Sequence, residues 1–263
     1  MANKNDKNSG RINKQRQIEK KKRKNNKTKL ILMVMLLIIG GISAYLLTSP
    51  SFAIQKITVN GNSKVSKQQI LKLADIKNGD NIFSKIGIVM KVKLKQNGYI
   101  EDVAITKNYP NKIEINVTER KQQFQVKIGE EYIYINEQGY ILQQSKTKLE
   151  IPTIIGLDLT GENAKSLNRL SEKDLNRMEN ILQVRQECQN IGIADKITKY
   201  EVDGEYRISL ENEGITINLG DATNLKNRMY YVNAILKQEA GNKGTIYVNG
   251  NLNEGFSAYF SAN

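Results

Sequence analysis

The 263 residues include no histidine, one cysteine and three prolines, and aromatic residues make up only 6% of the chain. Without histidine there is no Ser-His-Asp or Cys-His pair to activate a nucleophile, no imidazole ligand for zinc and no imidazole acid-base chemistry. The lone Cys188 excludes an intrachain disulfide, and its place on an apolar helical face marks a core thiol. There is no glycine-rich phosphate loop and no cluster of metal-ligand residues, so the sequence predicts neither a cofactor nor a metal. Pro50, Pro110 and Pro152 all fall at proposed junctions or turns, where a missing ladder donor does least harm.

What the chain does have is positive charge, and it is unevenly spread. The net charge is +13, yet residues 1–29 hold 12 Lys or Arg against Asp6 and Glu19, which leaves 28 basic and 25 acidic residues for the other 234. That tail, with runs such as "KKKRKNNKTK", has too few apolar residues to offset chain entropy and is expected to be disordered. It lacks the interleaved aromatics or folded groove of a nucleic-acid site, so no nucleic-acid partner is expected. Its position offers another role. "LILMVMLLIIGGISAYLL", Leu30–Leu47, is free of charge and with its flank, residues 30–49, is long enough to cross a membrane. Lysine and arginine crowd its N-terminal side, which predicts a type II protein with a cytoplasmic tail touching anionic lipid and everything after Pro50 outside. A cleaved signal peptide ending near "SFA", Ser51–Ala53, is the weaker reading, because the basic region and the apolar run are both too long. Gly40 and Ala44 form a small-xxx-small pair that could pack against a partner helix.

Beyond the membrane the pattern is α+β. A strand at Ile54–Val59 is followed by a helix begun by the capping box Ser66 and Gln69, then by a second helix over about Ser84–Gln96. Strands near Val103–Asn108 and Lys112–Glu119 close the unit, with Ile113, Ile115 and Val117 on the buried face and Lys112, Glu114, Asn116 and Thr118 on the other. Later, Ser171 and Asp174 start a helix bearing Leu175, Met178, Ile181 and Leu182, and Asp221 or Thr223 caps another bearing Leu225, Met229, Val232, Ile235 and Leu236. Strands are expected near Ile197–Val202, Tyr206–Leu210, Ile215–Leu219, Ile246–Asn249 and Phe256–Phe260.

The opening "ITVNGN", the close "GYIEDVAITKNYPNKIEINVTER" and their place just outside a membrane helix resemble the polypeptide-transport-associated (POTRA) domain of the FtsQ/DivIB family of bacterial division proteins. "FQVKIGEEYIYINEQGYILQQ", "IPTIIG", "GITINLGDATNLKNRMYYVNAIL" and "GTIYVNGNLNEGFSAYF" resemble successive segments of the β domain that follows it in that family. The resemblance implies a tail at 1–29, a membrane helix at 30–49, a POTRA domain at 52–121 and a β domain at 122–263. It also implies a non-enzymatic scaffold at the division septum that recruits FtsL and DivIC, the FtsB counterpart, and through them regulates septal peptidoglycan synthesis. The alternative is a POTRA protein of polypeptide transport or membrane assembly, but those carry repeated POTRA units or a β barrel, and here there is one unit.

Two short matches tempt an enzymatic reading. Ser145-Lys146-Thr147-Lys148 fits S-x-x-K and Ser166-Leu167-Asn168 fits S-x-N, yet no K-T-G follows, and such matches arise by chance. No small-molecule substrate is expected. The end of the chain is the better candidate for function: Tyr247, Phe256, Tyr259 and Phe260 cluster within 14 residues. A terminal strand is expected to leave an open sheet edge able to accept a strand from another chain. The family resemblance implies a partner contact on these last strands, matched here by Val248, Leu252, Gly255 and Phe260, although Leu252 stands where a tyrosine is frequent.

Overall fold

The apolar run after the basic tail forms a single helix, α1 (Lys27–Thr48), in the computed structural model, which describes residues 27–250 and 256–263. The helix begins at Lys27, so the last three residues of the basic segment are its first turn; the rest of the expected disordered tail lies outside the described residues. Its apolar side chains are exposed except for the half-buried Leu46, and it fits a single-pass membrane anchor. Helix ends leave carbonyls without intrahelical donors. Here the Leu46 carbonyl accepts from Asn81 Nδ2 at 2.9 Å, and Thr48 Oγ1 donates to the Ala44 carbonyl at 2.7 Å.

The next elements run β1 (Lys56–Asn60), α2 (Lys67–Ala74), α3 (Gly87–Leu94), β2 (Ile100–Asn108) and β3 (Lys112–Glu119), with the three strands ordered β1-β3-β2. The capping box forms reciprocally: Gln69 N–H donates to Ser66 Oγ and Ser66 N–H to Gln69 Oε1. On β3, Ile113, Ile115 and Val117 are buried, as the alternation predicts. β2 starts three residues earlier than expected, and two other boundaries differ for local reasons. Ile54 precedes β1 because its N–H donates to the Asp80 carbonyl and its own carbonyl accepts from Gly79. α3 starts at Gly87 instead of Ser84 because Asn81 gathers the preceding turn, accepting from Phe83 N–H through Oδ1 and from Ser84 through its carbonyl.

After Gln123 comes a nine-stranded sheet built from β4 (Phe124–Ile128), β5 (Glu131–Ile135), β6 (Ile141–Ser145), β7 (Thr153–Ile155), β8 (Lys199–Glu201), β9 (Tyr206–Leu210), β10 (Ile215–Gly220), β11 (Gly244–Tyr247) and β12 (Tyr259–Ala262). Their order is β12-β11-β10-β9-β8-β7-β4-β5-β6, with parallel pairing at β4–β7, β7–β8 and β10–β11 and antiparallel pairing elsewhere. Two helices, α4 (Glu172–Asn190) and α5 (Leu225–Gln238), share one core with the sheet through Met178, Ile181, Val184, Cys188, Leu225, Met229 and Val232. Burial pushes the Cys188 thiol up to about 12, so it is an inert core group.

α4 begins as expected, with Ser171 Oγ accepting the Asp174 N–H. Asp174 itself is buried and useful: its carboxylate accepts the Asp158 N–H, the Ser171 hydroxyl and Arg177 at 2.9 Å. α5 does not begin as expected. Asn224, in a left-handed conformation, occupies the cap position without a side-chain bond, while Asp221 turns to Thr223 and Arg228.

The candidate partner-binding edge

β12 is the outermost strand at one end of the large sheet. It pairs antiparallel with β11 in the register Gly244↔Ala262 through Tyr247↔Tyr259. Asn263 N–H donates to the Lys243 carbonyl, so, by the alternation of an antiparallel ladder, Tyr259 and Ser261 face β11 and the N–H and C=O groups of Phe260 and Ala262 point outward. Gly244 makes this seating possible. A Cβ there would collide with the Ser261 carbonyl and lie 2.7 Å from the Phe260 ring.

The side chains divide by face. Phe260 is half-buried against the core, and Phe256, which precedes the strand, packs there too and meets the Tyr231 ring at 5.0 Å. Tyr259 is exposed and stacks on Tyr247 at 4.9 Å, with the ring planes nearly parallel. Val248 is fully buried, because the parallel register with β10 continues into its N–H bond to the Asn218 carbonyl. Its side chain therefore belongs to the core beneath the edge. Both terminal strands are shifted from the expected bounds: β11 ends at Tyr247 and β12 starts at Tyr259. Leu252 and Gly255 lie outside the described residues.

Sequence reasoning missed three residues here. Arg228, on α5, is 2% exposed, and its guanidinium donates to the carbonyls of Thr223, Val248 and Gly250 and to Asp221 Oδ1. It ties the chain leaving β11 to the helix. The Asp221 carboxyl is held below the usual carboxylate range, first by its bond from Thr223 and also by Arg228. Tyr230 and Tyr231 stand exposed on the same helix with their rings 5.6 Å apart, which extends the aromatic surface beside Phe256. The clue to Arg228 was available: it falls three residues after Leu225, on the apolar stripe where a charge needs partners.

Elsewhere the candidate sites do not assemble chemistry. Ser145 ends β6 and its Oγ accepts the Thr147 N–H, while Ser166 Oγ donates to the Leu142 carbonyl. Among the described residues no group of three or more His, Cys, Asp or Glu is placed to hold a metal ion. Gly40 and Ala44 are exposed one turn apart on α1, with open space over Gly40. An edge strand, stacked tyrosines and a clamped return segment can recognise a chain; they offer no nucleophile and no acid-base pair.

Residues 52–120 match the POTRA domain, FtsQ-type, and residues 124–250 match the C-terminal domain of cell division protein FtsQ/DivIB. The cell division protein DivIB of Clostridium botulinum is 30% identical over 199 residues, covering 73% of this chain and 75% of that protein. The chain belongs to the FtsQ/DivIB family. DivIB of Bacillus subtilis is 29% identical over 209 residues (79% of this chain, 75% of that one), and FtsQ of Syntrophotalea carbinolica is 24% identical over 204 residues (74% and 70%). The FtsQ/DivIB match in the second half favours the division reading over the transport alternative, and the family is one of cell division proteins with no known catalytic activity.

Proposed function

We infer that this FtsQ/DivIB-family protein is a bitopic division scaffold whose outer β12 edge receives a strand from a DivIC and FtsL pair at the septum, and that this contact regulates septal peptidoglycan synthesis. The observation that carries the reading is the edge itself, where the outward backbone groups of Phe260 and Ala262 lie beside exposed Tyr259. A sheet edge is a template for an added strand: main-chain bonds supply affinity and alternate side chains supply specificity. The domain division follows the family, with a cytoplasmic tail at 1–29, the membrane helix at 30–49, the POTRA domain at 52–121 and the β domain at 122–263. Gly40 and Ala44 would add a contact within the membrane.

The test is co-purification. Deleting Gly255 to Asn263 should abolish capture of the DivIC and FtsL pair while the POTRA domain stays folded, and Phe260→Ala should weaken capture more than any substitution in the tail. Gly244→Val should act like the deletion by unseating β12. Unchanged capture by the folded deletion variant would move the site to the POTRA domain or to α1.

A further inference from the structure

Just past α1 the structure leaves apolar side chains uncovered. Ile86, Ile88 and Val89 are 59%, 72% and 46% exposed, and Tyr109 is 58% exposed. A single exposed isoleucine is ordinary, but three such residues within four positions make a patch that water penalises. The lysines nearby are engaged within the protein, Lys85 by Asp80 and Lys91 and Lys95 by Asp102, so the patch is apolar rather than basic.

The position of the patch is fixed by bonds to the segment that leaves α1. Ile82 N–H donates to the Phe52 carbonyl at 2.9 Å, Ile54 N–H donates to the Asp80 carbonyl at 2.8 Å, and Asn81 Nδ2 reaches the Leu46 carbonyl in the last turn of α1. Aromatic rings continue the connection from the helix outward. Tyr45 meets Phe52 at 6.3 Å, Phe52 meets Phe83 at 4.9 Å, and Phe83 stacks on Tyr109 at 5.2 Å. Ile86 follows Phe83 by three residues and so lies within about 11 Å of it along the chain. Tyrosine at the rim and exposed aliphatic side chains are the composition of a segment lying in a bilayer interface, with its apolar face about 5–10 Å into the headgroup boundary.

We propose that Ile86, Ile88, Val89 and Tyr109 form a membrane seat, resting in the outer-leaflet interface of the bilayer that α1 spans. Lipid is the occupant because α1 already brings it to Leu46, and Asn81, five residues before Ile86, touches that residue. The seat would limit rotation of the segment about the end of α1. The proposal rests on α1 being a retained membrane span.

The experiment uses the full-length protein in phosphatidylglycerol and phosphatidylethanolamine vesicles. In a Cys188→Ala background, Ile88→Cys, Leu47→Cys and Lys127→Cys each carry an environment-sensitive fluorophore, and lipids with a headgroup-level nitroxide serve as quencher. Quenching at position 88 should reach at least about half of that at 47 and exceed that at 127 several-fold. Adding Ile86→Ser and Val89→Ser should lower it at 88 and leave 47 unchanged. Quenching at 47 with none at 88 overturns the proposal. Blue-shifted but unquenched emission at 88 also overturns it and assigns the patch to a protein partner. Absence of quenching at 47 refutes the membrane span, and the seat with it.

Discussion

Replacing Arg228 with methionine isolates the clamp that holds the chain leaving β11. Methionine keeps much of the stem's volume, so the change removes hydrogen bonds and opens little cavity. Arg228 is 2% exposed and serves three carbonyls, those of Thr223, Val248 and Gly250. A buried carbonyl left without its donor costs about 1–3 kcal/mol. Val248 is fully buried and should cost most, whereas the half-buried Gly250 can recover part of its loss from water. The ion pair to Asp221 adds little, because that carboxylate is 65% exposed. The sum is about 3 kcal/mol, and at about 2–4 °C per kcal/mol for a chain of this size the midpoint of thermal unfolding should fall by about 6–12 °C. Asp221→Asn, which keeps the carbonyl bonds, should cost under about 1 kcal/mol. Near-ultraviolet circular dichroism of the detergent-solubilised protein reads both. Equal midpoints for the two variants would refute the claim that Arg228 acts through the carbonyls.

Ile115→Asp buries an unpaired carboxylate and should unfold the three-stranded unit, whereas Lys112→Asp, on the exposed face, should leave its melting unchanged; equal losses would contradict the face assignment. Replacing residues 2–28 with a scrambled segment of equal charge should preserve membrane insertion and septal localisation, since each Lys or Arg near an anionic surface contributes about 1 kcal/mol whatever its order; loss of either would reveal a specific motif. Lysine hydrogen bonds hold Asp102, Asp158 and Glu201 below the usual carboxylate range. Groups depressed on folding stabilise above their unfolded pKa and lose that contribution as pH falls through the folded value, so acid titration should show stability flat from pH 7 to about 5 and falling below about 4.

The parts of the fold legible in the sequence are those that local spacing encodes. Period-two alternation identified the buried face of β3, and the three-residue spacing of Ser66 and Gln69 identified the start of α2, because both signals lie within one turn or one strand. The parallel pairings of β4 with β7 and β7 with β8 were not legible: they join strands far apart in sequence, and short strands give no period that names a partner. α5 illustrates competition. Asp221 has the chemistry of a cap, but a buried guanidinium and the Thr223 hydroxyl outbid the helix end for its oxygens. At the edge, the aromatic cluster divides by face, with Phe256 and Phe260 on the core side and Tyr259 outside. The burial of Val248 beneath the edge was not legible, because sequence position cannot say which face a parallel register turns inward. Ile86, Ile88 and Val89 fail the usual rule altogether, since an apolar residue is assigned to a core by default and these have none.

The central claim, that β12 accepts a partner strand, is tested most directly by residue-resolved amide exchange with and without the DivIC and FtsL pair. Ser261 already faces β11, so its amide should be protected in both states. Strand addition predicts that the outward amides of Phe260 and Ala262 become protected only in the complex. A complex that forms while those two amides exchange as fast as in the free protein would contradict pairing at this edge.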